Sequence, residues 1–297
     1  MRLKIFAFVS VAALSIGMLS AAHAGDTLDR IKASKTINIG YRDSSIPFSY
    51  LGENHKPIGF SLDLCNAIIE KLDSDLGEKL KVNLILVNSS NRIPLVENGT
   101  IDLVCGGASS SKKRLEQVSF SDTTFISSPA WLVEKSSHLS SPLALKGKTI
   151  VVTQGSNAVG IAHRISKDEN LNLNIIEAKD HAESFMMVNT GRAAAFLEDN
   201  ILLAGLKAQD ANPSSLEILP QKYAATPYGL IFAKNNPKFG HIVNGVLSGM
   251  MASGAFTKIY DKWFMEPIPP RGINLNFPIS PVLQDRITHP SAELLNN

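Results

Sequence analysis

The chain carries one local order twice: a short helix, a glycine, an apolar strand and a polar loop. The first copy surrounds Gly99, and its loop (residues 106–111) is made of glycine, alanine and serine. The second copy surrounds Gly191, and its loop (residues 198–200) contains two acidic residues and an asparagine. The repetition predicts two similar α/β lobes, each presenting a polar loop at the carboxyl end of a strand.

Further apolar runs extend this alternation along the chain. The predicted strands are 36–40, 81–87, 101–105, 148–153, 175–176, 192–197 and 227–233. In open α/β sheets, ligands bind where the carboxyl ends of the strands meet. The loops after the first strands carry Arg42, Ser89, Arg92, Ser109 and Arg114 to that edge. Backbone groups, hydroxyls and a guanidinium suit a carboxylate, which arginine can bind through two hydrogen bonds.

The N-terminus has the order of an export signal. Arg2 and Lys4 precede an apolar run at residues 5–19, and Ala22-His23-Ala24 closes it. The run is shorter than the roughly 20 residues that a spanning helix needs. We therefore expect cleavage after Ala24 to remove residues 1–24 and to leave a soluble periplasmic protein.

Charge and cysteine usage restrict the class further. Removing Arg2 and Lys4 from 29 basic residues leaves 27, which equals the number of acidic residues. A mature chain without net charge does not favour nucleic acid as a partner. Cys65 and Cys105 can form one disulfide or remain two buried thiols, and the sequence leaves both open. Neither cysteine has a CxxC partner and the histidines show no ligand spacing, so no metal site is expected.

Motifs along the whole mature chain resemble the periplasmic amino-acid-binding proteins of ABC importers, in the glutamate/aspartate-binding branch. The residues that carry the resemblance are YRDSSIPFSY (41–50), NRIPLVENGTIDLVCGG (91–107), FSDTTF (120–125), AKDHAESF (178–185), GRAAAFLEDNILLAG (191–205), KWF (262–264) and EPIPP (266–270). The resemblance implies a type II fold of two α/β lobes joined by two crossover strands. Lobe 1 would comprise residues 25–125 and 229–297, lobe 2 residues 130–224, and the hinges residues 124–130 and 224–228. The ligand would bind between the lobes, which close by a hinge motion.

The resemblance also implies how the two charged ends of an amino acid are held. Arg114 matches the arginine that binds the α-carboxylate, with Ser109, Ser156 and the N–H of Asn157 as further partners. Asp199 matches the carboxylate that holds the α-ammonium group, with the carbonyl of Gly107 as a second acceptor. A zwitterion taken out of water needs such a fixed cation and anion. Gly107 and Asn157 depart from close relatives, in which a hydroxyl residue is common at these positions.

The side chain of the ligand would be read by a second group. Arg42, Arg92 and Ser89 match the positions that read it in the acidic-ligand branch, and His181 matches a histidine near the cleft whose role stays open. Two arginines facing a second carboxylate favour glutamate or aspartate, because an amide leaves buried cations unpaired. Taken one at a time, these residues have simpler interpretations: solvated loop arginines, turn serines, or a helix N-cap for Asp199.

The resulting prediction is a monomeric binding protein that delivers L-glutamate or L-aspartate to an inner-membrane ABC permease. Neither a cofactor nor enzymatic turnover is expected, because no nucleophile–base pair is recognisable. Two alternatives remain. A dehydratase-like enzyme on the same scaffold would use Glu198 or His181 as an acid or base, and a ligand-presenting protein would couple to a chemoreceptor. The tail from Pro267 onward is predicted to lie over the surface.

Overall fold

The computed structural model describes residues 26–220 and 223–295, so the predicted export signal at residues 1–24 lies outside the described part. In chain order its strands are β1 Thr36–Tyr41, β2 Ser44–Ser45, β3 Ser49–Leu51, β4 Pro57–Ile58, β5 Lys81–Leu86, β6 Leu103–Cys105, β7 Val118–Phe120, β8 Phe125–Ser127, β9 Pro129–Glu134, β10 Thr149–Thr153, β11 Asn174–Ala178, β12 Ala195–Asp199, β13 Leu216–Ile218, β14 Thr226–Tyr228, β15 Ile231–Ala233, β16 Pro267–Ile268 and β17 Ile273–Asn274. Its helices are α1 Thr27–Ser34, α2 Phe60–Leu76, α3 Arg92–Glu97, α4 Lys112–Leu115, α5 Asn157–Asp168, α6 His181–Asn189, α7 Asn200–Gln209, α8 Pro237–Ser253, α9 Ala255–Phe264 and α10 Pro281–Thr288. Across these described residues, no helix combines the length and apolar character needed to cross a membrane.

Lobe 1 is built on a five-stranded sheet in the order β5-β1-β6-β15-β7. β1 runs parallel to β5 and β6, with Ile39 opposite both Leu84 and Leu103. Ile39 and Leu103 are fully buried, as expected for inner strands that are covered on both faces. Since β1, β5 and β6 are parallel, their carboxyl ends lie at one edge of the sheet, where the loops with the predicted ligand residues begin.

Lobe 2 is built on a second five-stranded sheet, in the order β11-β10-β12-β9-β13. β10 is parallel to β11 and β12, whereas β9 is antiparallel to β12 and β13. Helix α5 begins directly after β10, and its N-cap Ser156 accepts a hydrogen bond from the N–H of Ala158 at 3.2 Å. Helix α6 begins after β11, with Asp180 as its N-cap. Both helix starts therefore lie at the carboxyl edge of this sheet.

Two crossover strands connect the lobes. β8 leads from the first sheet towards β9, and β14 leads back from β13 to β15; the two pair antiparallel, with Phe125 opposite Tyr228. The predicted fold class of two α/β lobes joined by two crossovers is thereby confirmed, while the lobe and hinge boundaries stay a prediction. The aromatic ring of Phe125 lies 4.9 Å from that of Phe264 and 5.1 Å from that of Phe48. Burial of such a ring contributes about 1.5–3 kcal/mol, so the crossover is anchored in the core of lobe 1.

The predicted strands at 227–233 and 192–197 differ most from the observed ones. Residues 227–233 do not form one strand, because the strand is interrupted at Gly229 and Leu230. There the N–H of Leu230 donates a hydrogen bond to the hydroxyl of Ser121 at 2.9 Å. The first part pairs with β8 and the second with β6 and β7. The strand predicted at 192–197 instead spans Ala195–Asp199, so the two acidic residues of its loop belong to the strand itself.

A disulfide joins Cys65 of α2 to Cys105 at the end of β6, which decides between the two alternatives that the sequence left open. The helix also buries the predicted apolar stripe, consisting of Leu62, Cys65, Ile68, Ile69 and Leu72. It ends at Gly77, whose φ of 70° is the left-handed conformation that closes many helices. The covalent bond ties this helix to the strand from which the ligand loop 106–111 continues.

The C-terminal tail, which was predicted to lie over the surface, also contributes buried residues. Residues after Pro267 form the β16–β17 hairpin and helix α10, in which Leu283 and Ile287 are buried. Beyond the helix, the carbonyl of Ser291 accepts hydrogen bonds from the N–H and the hydroxyl of Thr123, at 2.9 and 2.7 Å. The tail thus packs against the segment that enters the crossover strand β8.

Candidate functional site

The predicted site residues meet between the two lobes. A small cavity lies there, lined by Ser89, Arg92, Gly107, Ser109, Arg114, Ser156, Asn157, His181, Glu198, Asp199, Leu202 and Tyr228. Nine of the ten predicted residues are in this lining, and the tenth, Arg42, is fully buried without lining it. Among the described residues no group of three or more His, Cys, Asp or Glu side chains could hold a metal ion.

Arg114 connects the lobes. Its helix α4 begins after Ser111, whose hydroxyl accepts the N–H of Arg114 at 3.4 Å. One terminal nitrogen, Nη1, donates to the carbonyl of Ser109 at 2.7 Å, and the other, Nη2, donates to the carbonyl of Gly155 in lobe 2 at 3.0 Å. Burial lowers the pKa of Arg114, while the charges of Glu198 and Asp199 act in the opposite direction. The guanidinium is therefore fixed at the junction of the lobes.

Two carboxylates face it from the end of β12. Asp199 accepts a short hydrogen bond from the hydroxyl of Tyr228, and its own N–H donates to Oε1 of Glu198 at 3.1 Å. Burial raises the pKa of both acids, and the neighbouring charge of Asp199 adds to this effect on Glu198, whose pKa reaches about 7. The bond from Tyr228 and the charge of Arg114 favour the ionised form of Asp199. Asp199 is therefore the better placed of the two to remain an anion.

Arg42 and Arg92 are buried cations with unused donors. All three guanidinium nitrogens of Arg42, the Nε of Arg92 and the hydroxyl of Ser89 have no hydrogen-bond partner among the described residues. Nη1 of Arg92 donates to the carbonyl of Gly107 at 2.8 Å. Burial lowers the pKa of both arginines, and the charges of Arg114 and Arg42 lower that of Arg92 further. A buried cation is costly without an anionic partner, so this part of the site is suited to a carboxylate.

His181 is held at the start of α6 by hydroxyl groups. Its Nδ1 lies 2.8 Å from Oγ1 of Thr153 and 3.5 Å from Oε2 of Glu198. Thr153 also lies 2.9 Å from Oγ of Ser184, which donates to the carbonyl of Asp180 at 2.9 Å. Burial lowers the pKa of His181 well below its ordinary value, and the charges of Arg42 and Arg92 add to this.

The lobes are closed on each other around the cavity. Asn157 Nδ2 donates to the hydroxyl of Ser109 at 2.9 Å, and the hydroxyl of Ser90 donates to the carbonyl of Gln154 at 3.2 Å. A Cβ atom on Gly155, where φ is 73°, would lie 2.6 Å from Cα of Ser90. Only glycine permits this approach of the two backbones.

Sequence reasoning missed Tyr228 and Leu202 as lining residues. Tyr228 was assigned to the predicted hinge, and its contact with Asp199 depends on how β14 passes between the lobes. The available signal was a tyrosine at the end of an apolar run, which is too common to identify a site. Glu198 was named only as an acid or base of the enzyme alternative, although it lines the cavity beside Asp199.

Comparison with known proteins gives a consistent result. The family model for bacterial extracellular solute-binding proteins, family 3, matches residues 37–266. The L-glutamate/L-aspartate-binding protein of Pseudomonas aeruginosa is 42% identical over 285 residues, covering 95% of this chain and 94% of that protein. The glutamate/aspartate import solute-binding protein of Escherichia coli K12 is 37% identical, with 96% of each chain covered.

A solved structure shares the architecture. An ancestral arginine-binding protein bound to arginine superimposes with a TM-score of 0.70 at 30% identity, covering 77% of this chain and 98% of that one. Its likeness agrees with the type II arrangement of two lobes and two crossovers described above. Sequence match, fold and site geometry lead to one conclusion: this chain belongs to family 3 of the bacterial extracellular solute-binding proteins.

Proposed function

We propose that the protein binds L-glutamate or L-aspartate between its lobes in the periplasm and delivers it to an inner-membrane ABC permease. The observation that carries this proposal is the guanidinium group of Arg42, which is fully buried and whose three nitrogens have no partner in the described part of the chain. Burying a charge in this way is tolerated where an opposite charge completes the site. The names of the two relatives described above, which bind or import glutamate and aspartate, support the same choice of ligand.

The amino-acid backbone of the ligand would lie between Arg114 and Asp199. Arg114 would bind the α-carboxylate together with Ser109, Ser156 and the N–H of Asn157, which begins helix α5. Asp199 would accept the α-ammonium group. The carbonyl of Gly107 already accepts from Arg92, but a carbonyl oxygen has two lone pairs and can accept a second hydrogen bond.

The side-chain carboxylate would be placed among Arg42, Arg92 and Ser89, whose donors without a partner among residues 26–220 and 223–295 match its oxygens. Above about pH 7, where Glu198 ionises, the site holds three guanidinium groups and two carboxylates. The excess positive charge favours an anionic ligand over a neutral one. An amide side chain would leave these donors facing another donor, which costs free energy in a buried site.

Transport, rather than catalysis, is the proposed role. The predicted export signal supports a location outside the cytoplasm, and the family to which the chain belongs consists of extracellular solute-binding proteins. A monomer suffices, because one chain supplies both sides of the cavity. The enzyme alternative would require Glu198 or His181 to transfer a proton to or from the bound ligand, and the ligand would then be chemically altered.

Calorimetric titration of the mature protein, stripped of ligand, with L-glutamate, L-aspartate, L-glutamine and L-asparagine tests the proposal. We expect tight binding of the two acids and a weak response to the amides. Arg114→Ala abolishes binding of all four, whereas Arg92→Ala removes mainly the preference for acids, by roughly 2–5 kcal/mol. Arg164→Ala, at an exposed arginine of α5, is the matched control.

Two outcomes contradict the proposal. Equal affinity for acids and amides would refute the assignment of Arg42 and Arg92 to a side-chain carboxylate. Chemically altered ligand, detected by mass spectrometry after incubation with the protein, would favour the enzyme. Recovery of intact ligand supports the transport role.

A further inference from the structure

The hydroxyl groups next to His181 fix the position of its proton. The hydroxyl of Ser184 donates to the carbonyl of Asp180 at 2.9 Å, and a carbonyl can only accept, so the single hydrogen of Ser184 is committed. Thr153 lies 2.9 Å from the same hydroxyl oxygen, and it must therefore be the donor of that bond. The hydroxyl hydrogen of Thr153 is then used in the bond to Ser184 and cannot be donated to His181. The 2.8 Å contact between Thr153 and Nδ1 of His181 consequently requires that Nδ1 carries the proton.

This assignment leaves the other ring nitrogen, Nε2, without a proton in the neutral ring. Among the described residues, none forms a hydrogen bond with Nε2, although the ring lines the cavity. Oε2 of Glu198 lies 3.5 Å from Nδ1, on the protonated side of the ring, without a hydrogen bond to it. A neutral His181 thus presents a lone pair, not a hydrogen-bond donor, to a bound ligand.

The charged groups around the ring come from several elements. Arg42 follows β1 and Arg92 begins α3, and both charges disfavour a proton on His181. Glu198 lies at the end of β12 on the Nδ1 side. On the helix of His181 itself, Asp180 and Glu183 are engaged in capping, since a carboxylate oxygen of Asp180 accepts the N–H of Glu183 at 2.9 Å.

A carboxylate held by Arg42 and Arg92 would favour protonation of His181, which the two arginines alone disfavour. It would place a negative charge next to the same ring on which those two guanidinium groups act. It would also face the lone pair of Nε2, which is repulsive, whereas a protonated Nε2 would donate a charge-assisted hydrogen bond.

Resting on the proposed function, we propose that His181 is neutral with its proton on Nδ1 in the free protein, and that it takes up a second proton, on Nε2, when an acidic amino acid binds. The proton comes from solvent, and a hydrogen bond from Nε2 to the side-chain carboxylate forms. Glu198 is the counter-ion of the resulting imidazolium. Thr153 and Ser184 are positioning residues, because they fix which nitrogen is protonated without contacting the ligand.

Nitrogen-15 spectra of the histidine ring in the mature protein test this at about pH 7.5, since they distinguish protonated from unprotonated ring nitrogens. The signal missing in His181→Gln identifies the residue. We expect a protonated Nδ1 and an unprotonated Nε2 in the free protein, and a shift of Nε2 to its protonated position on saturation with L-glutamate. An Nε2 that stays unprotonated while L-glutamate is bound overturns the inference alone, whereas absence of L-glutamate binding overturns the proposed function.

Ser184→Ala tests the positioning role. It releases the hydrogen of Thr153, which then donates to Nδ1, so the neutral ring moves its proton to Nε2. L-glutamate then binds to a neutral ring, and the shift of Nε2 on binding is lost. Thr153→Ser, which keeps the hydroxyl, is the matched control and retains the wild-type spectrum. A free Ser184→Ala protein that is folded and still carries its proton on Nδ1 would refute the relay.

Discussion

Arg42→Met removes a guanidinium group but keeps an unbranched apolar stem in the same space. In the closed structure the side chain of Arg42 is fully buried, and its three nitrogens have no hydrogen-bond partner among the described residues. Burial lowers the pKa of this arginine, which reflects the cost of holding the charge away from water. Without a ligand, this cation therefore opposes closure of the lobes, and with an acidic ligand it is paired.

The magnitude follows from the three nitrogens of Arg42 that lack a partner within the described residues. Each buried and unsatisfied donor costs about 1–3 kcal/mol, so even the lower limit amounts to about 3 kcal/mol for the group. Closure of the ligand-free protein would become easier by a factor on the order of 100 in Arg42→Met. L-glutamate would lose one of the two arginine partners of its second carboxylate, at a net cost of about 2–4 kcal/mol, or roughly 30- to 1,000-fold in Kd.

Two measurements read these effects separately. Spin labels on cysteines introduced at Lys113 in lobe 1 and Glu177 in lobe 2, which face one groove across the cleft, report closure as a distance. We expect the ligand-free Arg42→Met protein to populate the short, closed distance that the wild type reaches only with ligand. In calorimetry, we expect L-glutamate to bind more weakly and L-glutamine more tightly than in the wild type.

The control is Arg164→Met, which changes an exposed arginine in α5 and is expected to alter neither measurement. The reasoning is refuted if Arg42→Met leaves the label distance open and the affinity for L-glutamine unchanged. In that case the charge of Arg42 does not oppose closure, and the buried guanidinium is not what selects the ligand.

Three further predictions concern other parts of the molecule. Tyr228→Phe removes the hydroxyl donor of Asp199 and weakens calorimetric binding of acids and amides alike, by about 1.5–3 kcal/mol; an effect confined to acids would contradict it. Because burial raises the pKa of Glu198 to about 7 from its ordinary 4.5, the folded protein holds a proton that the unfolded chain releases. The contribution of Glu198 to the free energy of unfolding of the ligand-free protein therefore falls by about 3 kcal/mol as the pH rises from 4.5 to 7. The lowered pKa of His181 acts in the opposite direction, so denaturant titrations measure the effect of Glu198 as the difference between the wild type and Glu198→Gln at each pH. Replacing both cysteines by serine opens a loop with a sequence separation of 40 residues and costs about 4 kcal/mol in denaturant unfolding, while L-glutamate affinity is retained; unchanged stability would contradict it.

The sequence was most informative where a polar loop follows an apolar strand. Arg42, Ser89 and Arg114 were placed correctly at one edge because parallel strands bring their carboxyl ends together, a rule that needs no side-chain detail. Asp199 lies at the carboxyl end of its strand although the strand begins three residues later than predicted, and its role toward the ligand stays a prediction.

Other features depend on three-dimensional proximity that no local pattern contains. The break between β14 and β15 arises because Ser121, more than a hundred residues away, binds the N–H of Leu230. The pairing of Cys65 with Cys105 required their Cα atoms to lie within bridging distance, and they are 6.2 Å apart. Helix α10, by contrast, was detectable, since Ser280 caps a start at Pro281 and Leu283 and Ile287 are four residues apart.

The position of β15 has a consequence for the order in which the protein can assemble. This strand is inserted between β6 and β7, yet it is synthesised only after all of lobe 2. β7 pairs with β15 alone among the strands of that sheet, so a nascent or translocating chain that ends before Ile231 leaves it without a neighbour. The sheet of lobe 2, whose strands all lie within residues 129–218, can complete its pairing first. Lobe 1 can complete its sheet only when the last part of the chain has been made. A premature stop would leave this sheet with unpaired, exposed strand edges, which quality-control proteases can recognise.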